Sequence, residues 1–492
     1  MEILTKRLIK GTLIYSASGL FTQAGAILLL PIFTRLLTPE EYGVLGLLNP
    51  LIGFIPMFFV FGIYVAQMRN YVDHKNDKTK LGSYIFSLNI FLFLANITFF
   101  IIFISPIGKV LIGKIIDYHK IPFYPFVVLA LVIGFIKIFV LMSDNYFRTI
   151  HNYSKIAIGN ILGFVISSGA SIILIYYFKF GVLGRIVGVF LGTIFLFIFF
   201  YINYIKNTVI KFNKNYLTES LNIGLPVMLG SITGIILNYS DRFVLSKYLT
   251  MDIVGTYSLA YTGGMALSLF ISSFNSTWLP LFNELMASER VDKFQTINRR
   301  LIQFTTLLVF FCLIGQLFGK EIITCVLPQS YNNTIIYFPY ILFGIVFTGI
   351  NHFFINIFVY YKNTIYLPFF TLFSASLNLG LNIIFIPKYG SLVAAITTII
   401  SFAFSSLMLI YIINYKYKNI KFSYLKIIIL LIFAMNPFLI ILFNMEISIL
   451  AAVFKIIYLI IFMFIFIKPM GKNLFKLINI KKRKINNEEV FL

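Results

Sequence analysis

The residues of this chain that could do chemistry are mostly charges set inside apolar sequence. Lys137 lies in an apolar run over residues 122–143 and Lys455 in one over 447–468. Asp241 and Arg242 fall inside a run over 220–246. Arg35 and Lys247 follow the ends of the runs over 11–34 and 220–246, and Arg69 and Arg148 follow those over 43–66 and 122–143. An ionised side chain facing lipid costs several kcal/mol, so each charge needs a partner, a wet cavity or a route to the interface. Lys137 stands roughly 9 Å from the nearer end of its run, at 1.5 Å per residue, and either faces a cavity or snorkels. Lys455 is similarly deep and is expected to snorkel. Neighbouring residues on a helix point different ways. Asp241 and Arg242 therefore each need a partner of their own, in a cavity or a structural ion pair. Arg35 and Lys247 either anchor at the interface or line a mouth, and loop charge alone accounts for Arg148.

Other chemistry is not expected. The chain has no P-loop, no GxSxG and no HExxH, and its four histidines are scattered. Cys312 and Cys325, the only cysteines, read as two small buried hydrophobes. The chain is thus read as a non-enzyme, without ATP hydrolysis, a cofactor or a metal site.

The elements that position these charges follow from composition. Of 492 residues, 59% are hydrophobic and 12% charged, with a mean hydropathy of +0.92. A soluble domain carries about 25% charged residues. A soluble fold and a disordered chain are excluded, and the solvent is mostly lipid. A helix crosses the hydrocarbon in about 20 residues. Apolar runs between charged or turn-rich breaks give fourteen such segments, the weakest joint being Lys179–Gly181. The runs are continuous rather than alternating, which favours helices over a β-barrel. With the N-terminus inside, inner segments hold 28 of the 40 Lys and Arg, and outer segments 10. That bias places both termini on the cytoplasmic side. The net charge of +23 would suggest nucleic acid if taken whole. Its distribution assigns it to orientation against anionic lipid, and no nucleic-acid partner is expected.

Two segments repeat at an offset of 212. Arg35–Leu48 aligns with Lys247–Ala260, sharing Leu37/Leu249, Thr38/Thr250, Gly43/Gly255 and Leu47/Leu259. Six spans separate the copies, so the halves run in the same sense and their axis lies along the membrane normal. The expected architecture is an all-α integral membrane protein with fourteen transmembrane helices. It comprises an N-lobe over 1–212, a C-lobe over 213–415, two extra helices over 416–470 and a basic cytoplasmic tail over 471–492. Asparagines and glutamines within spans, such as Gln67, Asn89, Asn351 and Asn378, read as helix–helix glue.

The opening Leu8–Gly19 with Pro31–Gly43, and later Asp241–Leu249 with Val254–Ala260, resemble the polysaccharide-transport flippases. These are the Wzx-like branch of the multidrug/oligosaccharidyl-lipid/polysaccharide (MOP) exporter superfamily. The resemblance implies flipping of an undecaprenyl-diphosphate-linked oligosaccharide by alternating access in the bacterial cytoplasmic membrane. The glycan would serve O-antigen, capsule or a related surface polymer, alongside other polysaccharide-assembly membrane proteins. Arg35, Lys137, Arg148, Arg242 and Lys247 would then be candidates for the diphosphate, whose lost hydration cations replace. The resemblance also places the lipid tail by the two extra helices. Relatives that couple to H⁺ or Na⁺ use carboxylates within a lobe; the N-lobe spans here contain no clear central one, and Asp144, Asp241 and Glu284 are the only acids close enough to consider, so the coupling ion stays open. Three other readings compete: a lipid II flippase, a MATE-type small-molecule exporter, and a membrane polysaccharide polymerase or ligase. The basic surplus disfavours a cation exporter, and the short outer loop over 106–121 disfavours the enzyme.

Overall fold

The computed structural model describes residues 17–206, 208–435 and 446–469. Among these the regular structure is helical, with no strand. The helices are α1 (Ala17–Leu36), α2 (Pro39–Phe59), α3 (Ile63–His74), α4 (Lys78–Ile104), α5 (Pro106–Gly113), α6 (Val128–Thr149), α7 (Tyr153–Tyr176) and α8 (Gly181–Ile205). They continue as α9 (Lys214–Tyr248), α10 (Met251–Ala287), α11 (Lys293–Val326), α12 (Thr334–Tyr360), α13 (Tyr366–Tyr389), α14 (Leu392–Lys416), α15 (Tyr424–Ala434) and α16 (Ile449–Ile467). Among the described residues thirteen stretches are long and apolar enough to cross a membrane, and α15 is a shorter apolar helix. The chain is an all-α, multi-pass membrane protein. The rest of the span expected over 424–443, the opening residues Leu8–Ser16 and the tail 471–492 lie outside the described residues.

Local sequence sets the helix ends. Thr38 caps α2 by a capping box, its hydroxyl accepting from the Glu41 amide while the Glu41 carboxylate accepts from the Thr38 amide. Asp77 caps α4 by accepting from the amides of Thr79 and Lys80. The Lys80 amide and the Thr79 hydroxyl hold its carboxyl below the usual range. The joint between α7 and α8 is a real break, because Lys179 and Gly181 both take positive φ, 56° and 50°.

Contacts divide the chain into two compact units. One comprises residues 1–263, 327–334 and 364–397; the other 264–326, 335–363 and 398–492. In the first, a buried relay crosses four helices. Asn89 of α4 donates to the Tyr204 hydroxyl, which donates to Gln67 of α3, whose amide reaches the Met142 carbonyl of α6. Ser240, Asn378, Asn382 and Thr397 form a second chain, each joined to the next. In the second unit Asn351 accepts from Ser406, and Asn356 donates to Asn275. These are helix-bridging bonds of the kind expected of amides in spans. Trp278 stacks on Phe353, and Phe274 on Phe304, to build that unit's aromatic core.

Two expectations change here. Lys455 does not snorkel: it is fully buried and paired with Glu321 of α11. A carboxylate supplied from another helix costs less than dragging the stem to water. Cys312 is buried as expected, whereas Cys325, at the end of α11, is exposed.

Candidate functional site

The site is built around the repeat, where copies of one sequence meet. Gly43 of α2 and Gly255 of α10 pack backbone to backbone: a Cβ on Gly43 would strike the Met251 carbonyl oxygen, and one on Gly255 that of Pro39. Pro39 and Met251 are themselves equivalent at the offset of 212, so the two contacts are one contact seen twice. Gly46 faces its own equivalent, Ser258. Such self-matching contacts mark a local two-fold axis. The same symmetry governs the helix ends beside them. The Tyr331 hydroxyl donates to the Leu37 carbonyl at the end of α1 (2.8 Å), and Lys120 Nζ donates to the carbonyls of Leu249 (2.9 Å) and Ser246 (2.5 Å) at the end of α9. Leu37 and Leu249 are equivalent, and each carbonyl is capped by a loop from the other half of the sequence.

Beside this axis Asp241 and Arg242 are 1% and 5% exposed. Asp241 Oδ2 accepts from the Tyr257 hydroxyl at 2.6 Å, and its Oδ1 accepts from the Arg242 amide at 2.8 Å. Arg242 donates to the Asn238 carbonyl at 3.0 Å, and its guanidinium lies 4.8 Å from the Tyr239 ring centre and 4.6 Å from that of Tyr261. Each of the two charges thus has its own partners, and the guanidinium is held between two aromatic rings.

Lys137 is half-buried in α6. It stands near the middle of that helix, because α6 continues to Thr149. Twelve residues separate Lys137 from that end, roughly 18 Å along the helix, which a lysine stem cannot span. Its charged neighbour is Arg185 of α8. Arg185 donates to the Ser171 hydroxyl at 2.9 Å and lies 4.3 Å from the Phe33 ring centre, with the Tyr42 hydroxyl also within its field. Among the described residues, neither cation forms an ion pair with a carboxylate. Arg185 was missed by sequence reasoning because it follows Lys179 and Gly181 so closely that it counts as loop charge. The signal available was its position inside the apolar run over 182–202.

The remaining candidates are dispersed. Arg148 forms an ion pair with Asp144 one turn earlier, at 2.7 Å. Arg35 is exposed in the last turn of α1, and Lys247 is exposed near the end of α9. Glu284 is exposed in the last turn of α10. No cluster of potential metal ligands occurs among the described residues.

Residues 8–286, more than half of the chain, match a family profile described as polysaccharide biosynthesis protein. The chain belongs to that family. A comparison with curated proteins finds no match. Solved structures of similar fold include the lipid II flippase MurJ in an inward closed conformation, at 16% identity and a TM-score of 0.72, covering 94% of this chain and 100% of that one. An inward-facing multidrug resistance MATE family transporter of the MOP superfamily shares 17% identity with a TM-score of 0.64, over 79% of this chain and 94% of that one. An outward-facing MATE family transporter gives 17% and 0.57, over 82% and 94%. The chain therefore shares the fold of these transporters, and the all-α plan expected from its sequence is the one it adopts.

Proposed function

We propose that this protein flips an undecaprenyl-diphosphate-linked oligosaccharide across the bacterial cytoplasmic membrane, by alternating access, for O-antigen, capsule or a related surface polysaccharide. The observation that carries the reading is the Lys137–Arg185 pair. Two like charges lie within each other's field, and among the described residues neither pairs with a carboxylate, an arrangement that an entering anion relieves. A diphosphate offers several acceptor oxygens to a lysine and a guanidinium, and the bonds are charge-assisted. The polyprenyl tail stays in lipid, beside the helices over 416–470, while the head group passes between lobes over 1–212 and 213–415. Both termini stay in the cytoplasm. Arg35, Arg148, Arg242 and Lys247 are secondary candidates for the path of the head group. Asp144 and Asp241 are already engaged by Arg148 and Tyr257, so coupling to H⁺ or Na⁺ through either would need its bond to open, whereas Glu284 is exposed.

Deletion of the gene should remove the surface glycan while lipid-linked repeat units accumulate on the inner leaflet. Normal surface polymer with altered drug tolerance would overturn the reading in favour of a small-molecule exporter. At residue scale, Lys137→Gln and Arg185→Gln should each cut glycan export about tenfold or more at unchanged protein level, the loss of a charge-assisted bond. Lys137→Arg should retain export. A second reading, lipid II transport, is favoured by the likeness to MurJ over 94% of this chain. Lysis and lipid II accumulation on depletion, with intact surface glycan, would select it.

A further inference from the structure

A cavity of about 570 Å³ opens among α2, α5, α9 and α13, all within the first compact unit. Its volume falls in the range of about 300–1,000 Å³ common to ligand sites. The interior is apolar, with Phe54, Ile55, Phe59, Ile236 and Phe243 among its walls. Two cations, Lys114 and Lys247, also line it and are exposed, and no carboxylate does. Ile115, Ile383 and Tyr248 belong to the lining and are 61%, 47% and 42% exposed. In a membrane-spanning helical protein an apolar opening flanked by such residues suits a hydrocarbon chain better than water.

We propose that this cavity binds an anionic membrane phospholipid, with acyl chain in the apolar slot and phosphate at Lys114 and Lys247. The charge pattern requires an anion, since both rim charges are positive and nothing in the wall neutralises them. The apolar depth requires a hydrocarbon chain attached to that anion. The bilayer presents such molecules at high local concentration directly at the mouth. Neither Lys137 nor Arg185 lines this cavity, so the site is distinct from that pair; Lys247, a secondary candidate for the head-group path, belongs to its lining, and competition with undecaprenyl phosphate separates the two uses. The site gives Lys247 a role as a lipid anchor.

The test is native mass spectrometry of the full-length purified protein released from nanodiscs of equal phosphatidylglycerol and phosphatidylcholine. The wild type should retain phosphatidylglycerol over phosphatidylcholine by roughly tenfold, as expected for two lysines near an anionic head group. Lys114→Gln with Lys247→Gln should abolish that preference, and the double arginine variant should keep it. Both lysines are exposed, so these variants fold as the wild type does. Ile236→Trp, which fills the slot, should reduce bound lipid of both kinds. Equal preference in the wild type and the double glutamine variant would overturn the proposal. So would displacement of phosphatidylglycerol by an equimolar amount of undecaprenyl phosphate, which would assign the cavity to the carrier lipid.

Discussion

Asp241 and Arg242 show how a pair of charges survives in the interior of a membrane protein. Their closest charged atoms are 4.0 Å apart, the Arg242 amide bonds Asp241, and further neighbours complete each side chain. Asp241 depends on the Tyr257 hydroxyl, which reaches it from α10 at 2.6 Å. Tyr257→Phe should therefore lower the melting temperature in detergent, because a buried acceptor loses its donor at a cost of about 1–3 kcal/mol. Tyr239→Phe keeps the ring beside Arg242 and should leave the melting temperature unchanged. An unaltered melting temperature for Tyr257→Phe would show that water replaces the hydroxyl. Lys455 follows the same logic with a carboxylate from Glu321. The presence of these charges was legible in the sequence. Their partners were not, since Tyr257 and Glu321 stand 16 and 134 residues away.

At the scale of elements, the packing of α2 against α10 rests on missing side chains. Gly43 and Gly255 let two backbones touch, and each meets a carbonyl that no flexible group can move aside. Gly43→Ala and Gly255→Ala should lower the melting temperature by similar amounts, because the local two-fold makes them the same substitution. Gly53, on the same helix as Gly43, has open space where a Cβ would go. Gly53→Ala should be neutral or stabilising by about 0.5–1 kcal/mol, the ordinary gain in a helix. Unequal losses at Gly43 and Gly255 would argue against the two-fold. The repeat itself was visible in sequence through these glycines and their flanking leucines. That its two copies press on each other was not, because an offset in sequence carries no distance.

For the whole molecule, charge sets direction. The excess of Lys and Arg in alternate segments orients a multi-pass chain. With Cys325→Ser as background, Asp117→Cys should react with a membrane-impermeant maleimide in intact cells, and Lys211→Cys only after permeabilisation. The reverse pattern would invert the topology. The uncertain joint at Lys179–Gly181 proved to be a true break, held by two positive φ angles. A single long helix there would have reversed every later loop.

Hydrophobicity and its interruptions determine span number, helix type and orientation, because each residue's preference for lipid or water acts locally. The sequence by itself therefore established the membrane class, the repeat and the excess of cations. Only the tertiary structure decided which cations are spent. Arg148 is engaged by Asp144 and Arg242 by its tyrosines, whereas Lys137 stands with Arg185, and Lys247 with Lys114 on an apolar cavity. Pairing is a matter of distance in space, and helices that cross a membrane many times bring together residues that spacing along the chain keeps apart.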